Sequence, residues 1–298
     1  VSLDILGPIA VVSRGLGLSH VVGWTDDILG RSQGGGPSVA VVNPPPPPKG
    51  KGKGGRPTPT SPPSTAPAPT TPTTLPPLNR APTAADPLRV LVIGDSIGID
   101  LGQPLTNDLA ATGVVAATLD GKVDTGLARP DYFNWPEELS ADLANDHPQL
   151  VVAMLGANDP QSMVVNGTAV AYGTAAWSSE YAWRVGSLMD EAIAGGAHVL
   201  WVGMPSMAGS QLNGEMDVIN GIVQVQAAIR AGDATYLDST VILGTAQGTF
   251  TPYLTNSSGA EVNIRTPDGI HLTPDGGEVL SQAVMSSMRS ALHVALPG

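Results

Sequence analysis

The sequence contains no cysteine. Disulfides, thiolate metal centres and cysteine nucleophiles are thereby excluded together. No run of about 20 uncharged apolar residues occurs, so no segment reads as a membrane-spanning helix. Basic side chains are scarce, 14 Lys and Arg against 26 Asp and Glu, for a net charge of −12. The imbalance is steeper in residues 86–298, which hold 23 acidic side chains and only 7 basic ones. So acidic a surface repels phosphate backbones, and nucleic acid is not an expected partner. Histidines number five, which makes the search for a general base short.

Proline is abundant but concentrated: 16 of the 28 lie between Asn43 and Leu88. This divides the chain into three. Residues 1–42 are moderately apolar (Leu3, Ile5, Leu6, Ile9, Val11), interrupted by Asp4, Pro8 and Arg14. They are open to reading as a juxtamembrane remnant, a peripheral contact or a docked segment. The chain opens on Val1, as a processed or truncated N-terminus would, or a start codon translated as something other than Met. Residues 43–87, rich in Pro, Thr, Lys and Gly, cannot bury enough apolar surface to offset chain entropy and are expected to be a disordered linker. In polyproline II form, at about 3.1 Å per residue, such a stretch reaches on the order of 100 Å. That suits a spacer carrying an extracytoplasmic head, secreted or tethered at the bacterial cell envelope; an ordinary linker has the same composition. Residues 88–298 are the expected folded domain, large enough to bury a sizeable core.

Within that domain short apolar runs alternate with helical patterns. Arg89–Ile93, Val114–Leu119, Gln149–Leu155, His198–Val202 and Thr235–Leu237 read as buried parallel strands. Tyr181, Val185, Leu188, Met189, Ala192 and Ile193 recur at helical spacing, and Gly195–Gly196 stops that helix. Val218, Ile219, Ile222, Val223 and Ala227 mark a second helix, and Leu280, Ala283, Val284, Met288 and Leu292 a last one. The alternation predicts an α/β domain with a parallel central sheet covered on both faces.

Sites in such sheets gather in loops leaving the C-terminal ends of the strands. The first strand is followed by Gly94-Asp95-Ser96, the second by Asp124-Thr125-Gly126, and the third by Gly156-Ala157-Asn158-Asp159. A serine nucleophile needs a base, usually histidine. His20 precedes the linker, His147 and His198 stand before strands, and His293 ends the last helix. His271 alone lies in a loop just before a helix, with Asp268 three residues earlier able to orient its imidazole. Ser96, Asp268 and His271 are therefore the expected catalytic set. The backbone N–H groups of Ser96 and Gly126 and the amide of Asn158 are the expected oxyanion hole. Each motif has a bland counterpart, such as a turn, a helix cap or a satisfied core histidine. Their conjunction in order, each at a strand end, is what favours chemistry.

Gly94-Asp95-Ser96, Gly126, Gly156-x-Asn158-Asp159 and Asp268-x-x-His271 resemble the four blocks of the SGNH (GDSL-like) hydrolase superfamily, over the whole of 88–298. The strings at 123–136, 154–163, 201–207 and 268–277 resemble more narrowly a bacterial branch catalogued as a domain of unknown function. Asp-Thr-Gly-Leu around Gly126 departs from the looser context usual in the second block. The resemblance implies a flavodoxin-like three-layer α/β/α sandwich, with Ser96 as nucleophile, His271 as base, Asp268 as its orienter, and no cofactor or metal.

Asp95, Arg129, Trp135 and Asp159 are the candidate substrate contacts: Trp135, with Tyr132 and Phe133, could stack on a sugar ring or pack its loop onto the domain, and Arg129 could meet a carboxylate or simply pair with Asp131. The expected activity is an esterase removing O-acyl, above all O-acetyl, groups from a cell-envelope glycan. The same triad serves an O-acyltransferase working with a membrane-anchored acyl-donor partner. A non-catalytic binding module on the same fold is the third reading. Metal-dependent hydrolysis lacks a ligand cluster in sequence. No signal sets the oligomeric state.

Overall fold

The computed structural model describes residues 75–297. The expectations for residues 1–42 and for most of the linker fall outside them. Five parallel strands form the main sheet: β1 (Leu88–Gly94), β2 (Val115–Gly121), β3 (Leu150–Met154), β6 (His198–Val202) and β7 (Ala234–Leu237), ordered β2-β1-β3-β6-β7. Counted within the sheet this is the 2-1-3-4-5 order of flavodoxin-like folds. Two antiparallel hairpins are appended, β4 (Met163–Val165) with β5 (Thr168–Val170) and β8 (Tyr253–Thr255) with β9 (Glu261–Asn263).

The helices are α1 (Ser96–Ala111), α2 (Trp135–Asp146), α3 (Ala175–Ala194), α4 (Ser210–Ile229) and α5 (Pro274–Ser290). Helices α1 and α5 pack together on one face, while α3 packs against both α2 and α4 on the other, giving three layers. The central strands β3 and β6 are buried at every residue, which is why they read as unbroken apolar runs rather than alternating ones. The edge strand β2 is only partly buried.

Helix α1 was not evident from periodicity, because Gly98, Gly102 and Pro104 break its sequence. Its apolar residues nevertheless recur every fourth position, and Ile97, Leu101, Leu105 and Leu109 are all fully buried. Burying each such side chain contributes roughly 1.5–3 kcal/mol. The turn from β1 into α1 is tight. A Cβ on Gly94 would meet Gly98 Cα at 2.6 Å and the Met154 carbonyl at 2.8 Å, so glycine there lets the helix start beside the end of β3.

The linker boundary moves. Residues 75–87, assigned to the disordered stretch by composition, lie on the domain. Leu78 is buried. Arg80 donates to the Pro87 carbonyl and Gln149 Oε1, Leu75 N–H donates to Asp233, and Pro76 O lies 2.9 Å from His198 Nε2. These partners precede β1, β3 and β7 or begin β6, at the end of the sheet opposite the loops that carry Ser96 and Asn158. Proline-rich composition marks an extended chain; it does not prevent that chain from lying along a surface that offers it hydrogen-bond partners.

Candidate active site

Ser96 is the first residue of α1, so its N–H has no acceptor within the helix. Asp95 caps the helix, its Oδ1 accepting from Ile97 N (3.0 Å) and Gly98 N (3.4 Å). The Asp95 Oδ2 accepts from Gly156 N (3.1 Å) and Ala157 N (3.0 Å), which ties the loop after β3 to the start of α1. Burial pushes the Asp95 carboxyl up to about 6, against the pull of these N–H donors.

His271 closes the arrangement from the loop before α5. Its Nε2 lies 2.9 Å from Ser96 Oγ and its Nδ1 lies 2.7 Å from Asp268 Oδ2. Asp268 Oδ1 accepts from the N–H groups of Ile270 and His271 and from the Thr266 hydroxyl. Partial desolvation acts the other way, but the hydrogen bonds from Thr266, His271 and Ile270 hold this carboxyl well below the usual range. It is therefore an anion at neutral pH. The distances give the ring one tautomer that suits both neighbours: Nδ1–H donates to Asp268, and Nε2 accepts from Ser96. Both side chains of the His–Asp pair remain partly exposed.

Two further loops reach the same end of the sheet. The Asn158 Nδ2 donates to the Thr125 carbonyl at 3.0 Å, leaving its second hydrogen free for a ligand. The adjacent Asp159 is fully buried and accepts from Ala128 N (2.7 Å) and from the Tyr181 hydroxyl (2.6 Å). Gly126 lies against that carboxylate, and a Cβ at this position would collide with Asp159 Oδ1. Glycine at 126 is thus required by Asp159, whatever its N–H does. Arg184 secures the same loop by donating to the carbonyls of Leu127 and Ala128.

Three of the expected substrate contacts are corrected. Asp95, Asp159 and Trp135 are fully buried and occupied within the protein. The Asp carboxylates collect backbone and tyrosine donors, and the Trp135 indole donates to Thr125 Oγ1 at 3.1 Å. Arg129 is exposed and makes a bidentate pair with Asp131, the plainer of its two readings. Of its aromatic neighbours, Tyr132 is exposed, while Phe133 packs edge-on against Trp135. The sequence marks Tyr181 only as one of a helix's apolar positions and carries no signal for Arg184 or Asp100. The last is one helical turn beyond Ser96 and accepts from Leu272 N at 2.9 Å.

Among the described residues one group of side chains has metal-ligand spacing: Asp120, Glu138 and Asp142, whose carboxylate oxygens lie within 4.8 Å of one another between β2 and α2. Burial, then the charges of Asp120, Glu138 and Asp146, raise Asp142 to about 6. None of the residues around Ser96 belongs to this group.

No curated protein matches the chain at a significant level. Among solved structures it is similar to TesA, at 21% identity over 68% of this chain and 99% of that one, with a TM-score of 0.48. It is similar also to a GDSL-like lipase from Bacteroides thetaiotaomicron, at 15% identity, 68% and 88% coverage and a TM-score of 0.46. A catalytic mutant of an acetylxylan esterase from Geobacillus stearothermophilus matches at 15% identity, 67% and 94% coverage and a TM-score of 0.45. The family described as Protein of unknown function (DUF459) matches residues 89–287, most of the chain, and the chain belongs to that family.

Proposed function

We propose that this protein is a serine esterase whose nucleophile is Ser96, whose general base is His271 and whose orienting carboxylate is Asp268. One observation carries the reading: the continuous hydrogen-bonded line Ser96 Oγ–His271 Nε2–Asp268 at 2.9 and 2.7 Å, assembled from two loops 172 residues apart or more. In this mechanism Ser96 Oγ attacks the ester carbonyl carbon as its proton passes to His271 Nε2. Asp268, already anionic, stabilises the imidazolium through Nδ1–H. The N–H groups of Ser96 and Gly126 and the free Asn158 hydrogen receive the oxyanion, each such donor contributing about 3 kcal/mol to the transition state. Collapse returns the proton from Nε2 to the leaving alkoxide, and water then repeats the sequence on the acyl-enzyme.

The substrate we propose is an O-acyl group, above all O-acetyl, on a cell-envelope glycan, reached by an extracytoplasmic domain. The proline-rich stretch ahead of the domain supports a tethered or secreted head. The partial exposure of Ser96 and His271 supports access by an ester borne on a larger molecule. Transfer to a sugar hydroxyl instead of water would use the same residues.

Hydrolysis of p-nitrophenyl acetate tests the reading. Wild-type turnover is expected to persist in chelator and to fall by about 10³-fold or more in Ser96→Ala and His271→Ala. Unchanged turnover in Ser96→Ala overturns it. Acyl transfer to added sugars, measured in the same assay, separates transferase from esterase.

A further inference from the structure

Ser96 and Asp100 are four residues apart on α1, hence on one face of the helix. The segment bearing His271 touches that face at two successive turns. The imidazole meets Ser96 Oγ, and one residue later the Leu272 N–H donates to Asp100 Oδ2 at 2.9 Å. The backbone of the same turn of α1 receives the continuation of that segment. Pro104 has no N–H, so the Asp100 carbonyl lacks its usual helical donor, and α5 crosses there so closely that a Cβ on Gly277 would collide with it. Leu272 itself is buried, so its N–H would be left without water if Asp100 did not accept it.

The other hydrogen bonds of this loop run within it or to the loop after β6. Thr266 N donates to the His271 carbonyl, and the Asp268 carboxylate gathers its own turn. Arg265 bridges to Leu272 and donates to the Ser206 carbonyl on the loop after β6. These bonds shape the loop; what ties it to α1 is the packing of α5 just beyond it and, beside His271 itself, the Leu272–Asp100 bond. Burial raises the Asp100 carboxyl, while the Leu272 N–H and the nearby His271 oppose that rise.

Building on the esterase reading, we infer that Asp100 is a positioning residue: by accepting the Leu272 N–H it clamps the His271 loop to the helix that carries Ser96 and so sets the Ser96–His271 distance. It does not touch the reacting atoms. What the role requires is a hydrogen-bond acceptor of aspartate length, not a charge. A misplacement near 1 Å can cost about 10²-fold in rate.

The test compares wild type, Asp100→Asn and Asp100→Ala in the full chain. Each is measured by p-nitrophenyl acetate kinetics, by the rate at which a fluorophosphonate labels Ser96, and by hydrogen exchange of the Leu272 amide. In Asp100→Ala, kcat and the labelling rate are expected to fall about 10- to 100-fold with KM within about two-fold, and the Leu272 amide to exchange faster. Asp100→Asn, which keeps an acceptor, should stay within about three-fold of wild type with the amide protected. Wild-type rates in Asp100→Ala overturn the inference, and so does an Asp100→Asn as slow as Asp100→Ala, since charge would then be what matters. If Asp100→Ala does not fold, Asp100→Leu, closer in volume and also without an acceptor, replaces it under the same criteria. A folded wild type that neither turns over ester nor is labelled overturns the esterase reading, and this inference with it. An active wild type beside an indifferent Asp100→Ala overturns this inference alone.

Discussion

Gly126 rests directly on the buried carboxylate of Asp159, with no room between them for a Cβ. The backbone that offers the Gly126 N–H is thus seated on a group that also holds Ala128 and Tyr181. Gly126→Ala should therefore push the loop away from Ser96 rather than unfold the domain. Its kcat for p-nitrophenyl acetate is expected to fall on the order of 10²-fold, the usual cost of misplacing one oxyanion donor. Steady-state kinetics beside a thermal melt check this. A variant that keeps wild-type kcat would show that the loop absorbs the added Cβ without displacing the Gly126 N–H.

Tyr181 supplies Asp159 with its side-chain donor at 2.6 Å, and both groups are fully buried. Burial, then Asp159, raise the Tyr181 hydroxyl well above its ordinary value, so it stays a neutral donor at all working pH values. Tyr181→Phe leaves an internal carboxylate short of one donor and should cost about 1–3 kcal/mol in urea unfolding. Asp159→Asn in the same background should recover part of that loss, because an uncharged amide suffers less from the missing bond.

Asp142 makes stability pH-dependent in a definite direction. Its folded value of about 6 lies above the ordinary aspartate value of 3.8, so the native state binds the extra proton between these limits. The associated stability is present at low pH and is lost as pH rises through about 6. Asp142→Asn should therefore melt higher than wild type at pH 7, and the difference should shrink as pH is lowered toward 4. Melts across that range measure it, and a difference independent of pH would assign the effect to packing instead.

Residues 75–87 should behave as part of the domain. A chain beginning at residue 88 loses the burial of Leu78 and the Arg80 bonds to Pro87 and Gln149. One beginning at residue 75 keeps them. The shorter chain is expected to melt lower by on the order of 5 °C. Its kcat should match that of the longer one, since the segment lies at the opposite end of the sheet from Ser96.

Much of this architecture was legible because burial on both sides of a parallel sheet leaves an unmistakable run of apolar residues. The strand beginning at His198 was readable to the residue, and the other four strands of the main sheet to within two positions at each end; the four hairpin strands were not read. Helix α1 was missed for the opposite reason. Its glycines make room for neighbouring chain segments, the end of β3 at Gly98 and Leu119 at Gly102, Pro104 adds a further break, and local propensity carries no trace of the neighbours. The β4–β5 hairpin did have a local signal, Asn166-Gly167, and both residues take the positive φ that such a two-residue turn needs.

At the candidate site, the sequence alone determined which residues were chemically eligible. With five histidines and no cysteine, elimination led to His271, and the strand-then-glycine pattern led to Ser96, Gly126 and Asn158. Those signals are local, since loop position and residue chemistry are written in neighbouring letters. Only the tertiary structure decided which polar residues face a ligand and which hold the scaffold. Asp95, Asp159 and Trp135 look like contact residues beside their motifs, yet all three are buried; segments 31 and 61 residues away donate to Asp159 and Asp95, and the Trp135 indole donates to Thr125 within its own loop. Asp100 is the reverse case, an unremarked helical residue given a task by Leu272, 172 residues away. A hydrogen bond across such a separation exists only once the core has packed, because it is the docking of α5 on α1 that brings its two ends together.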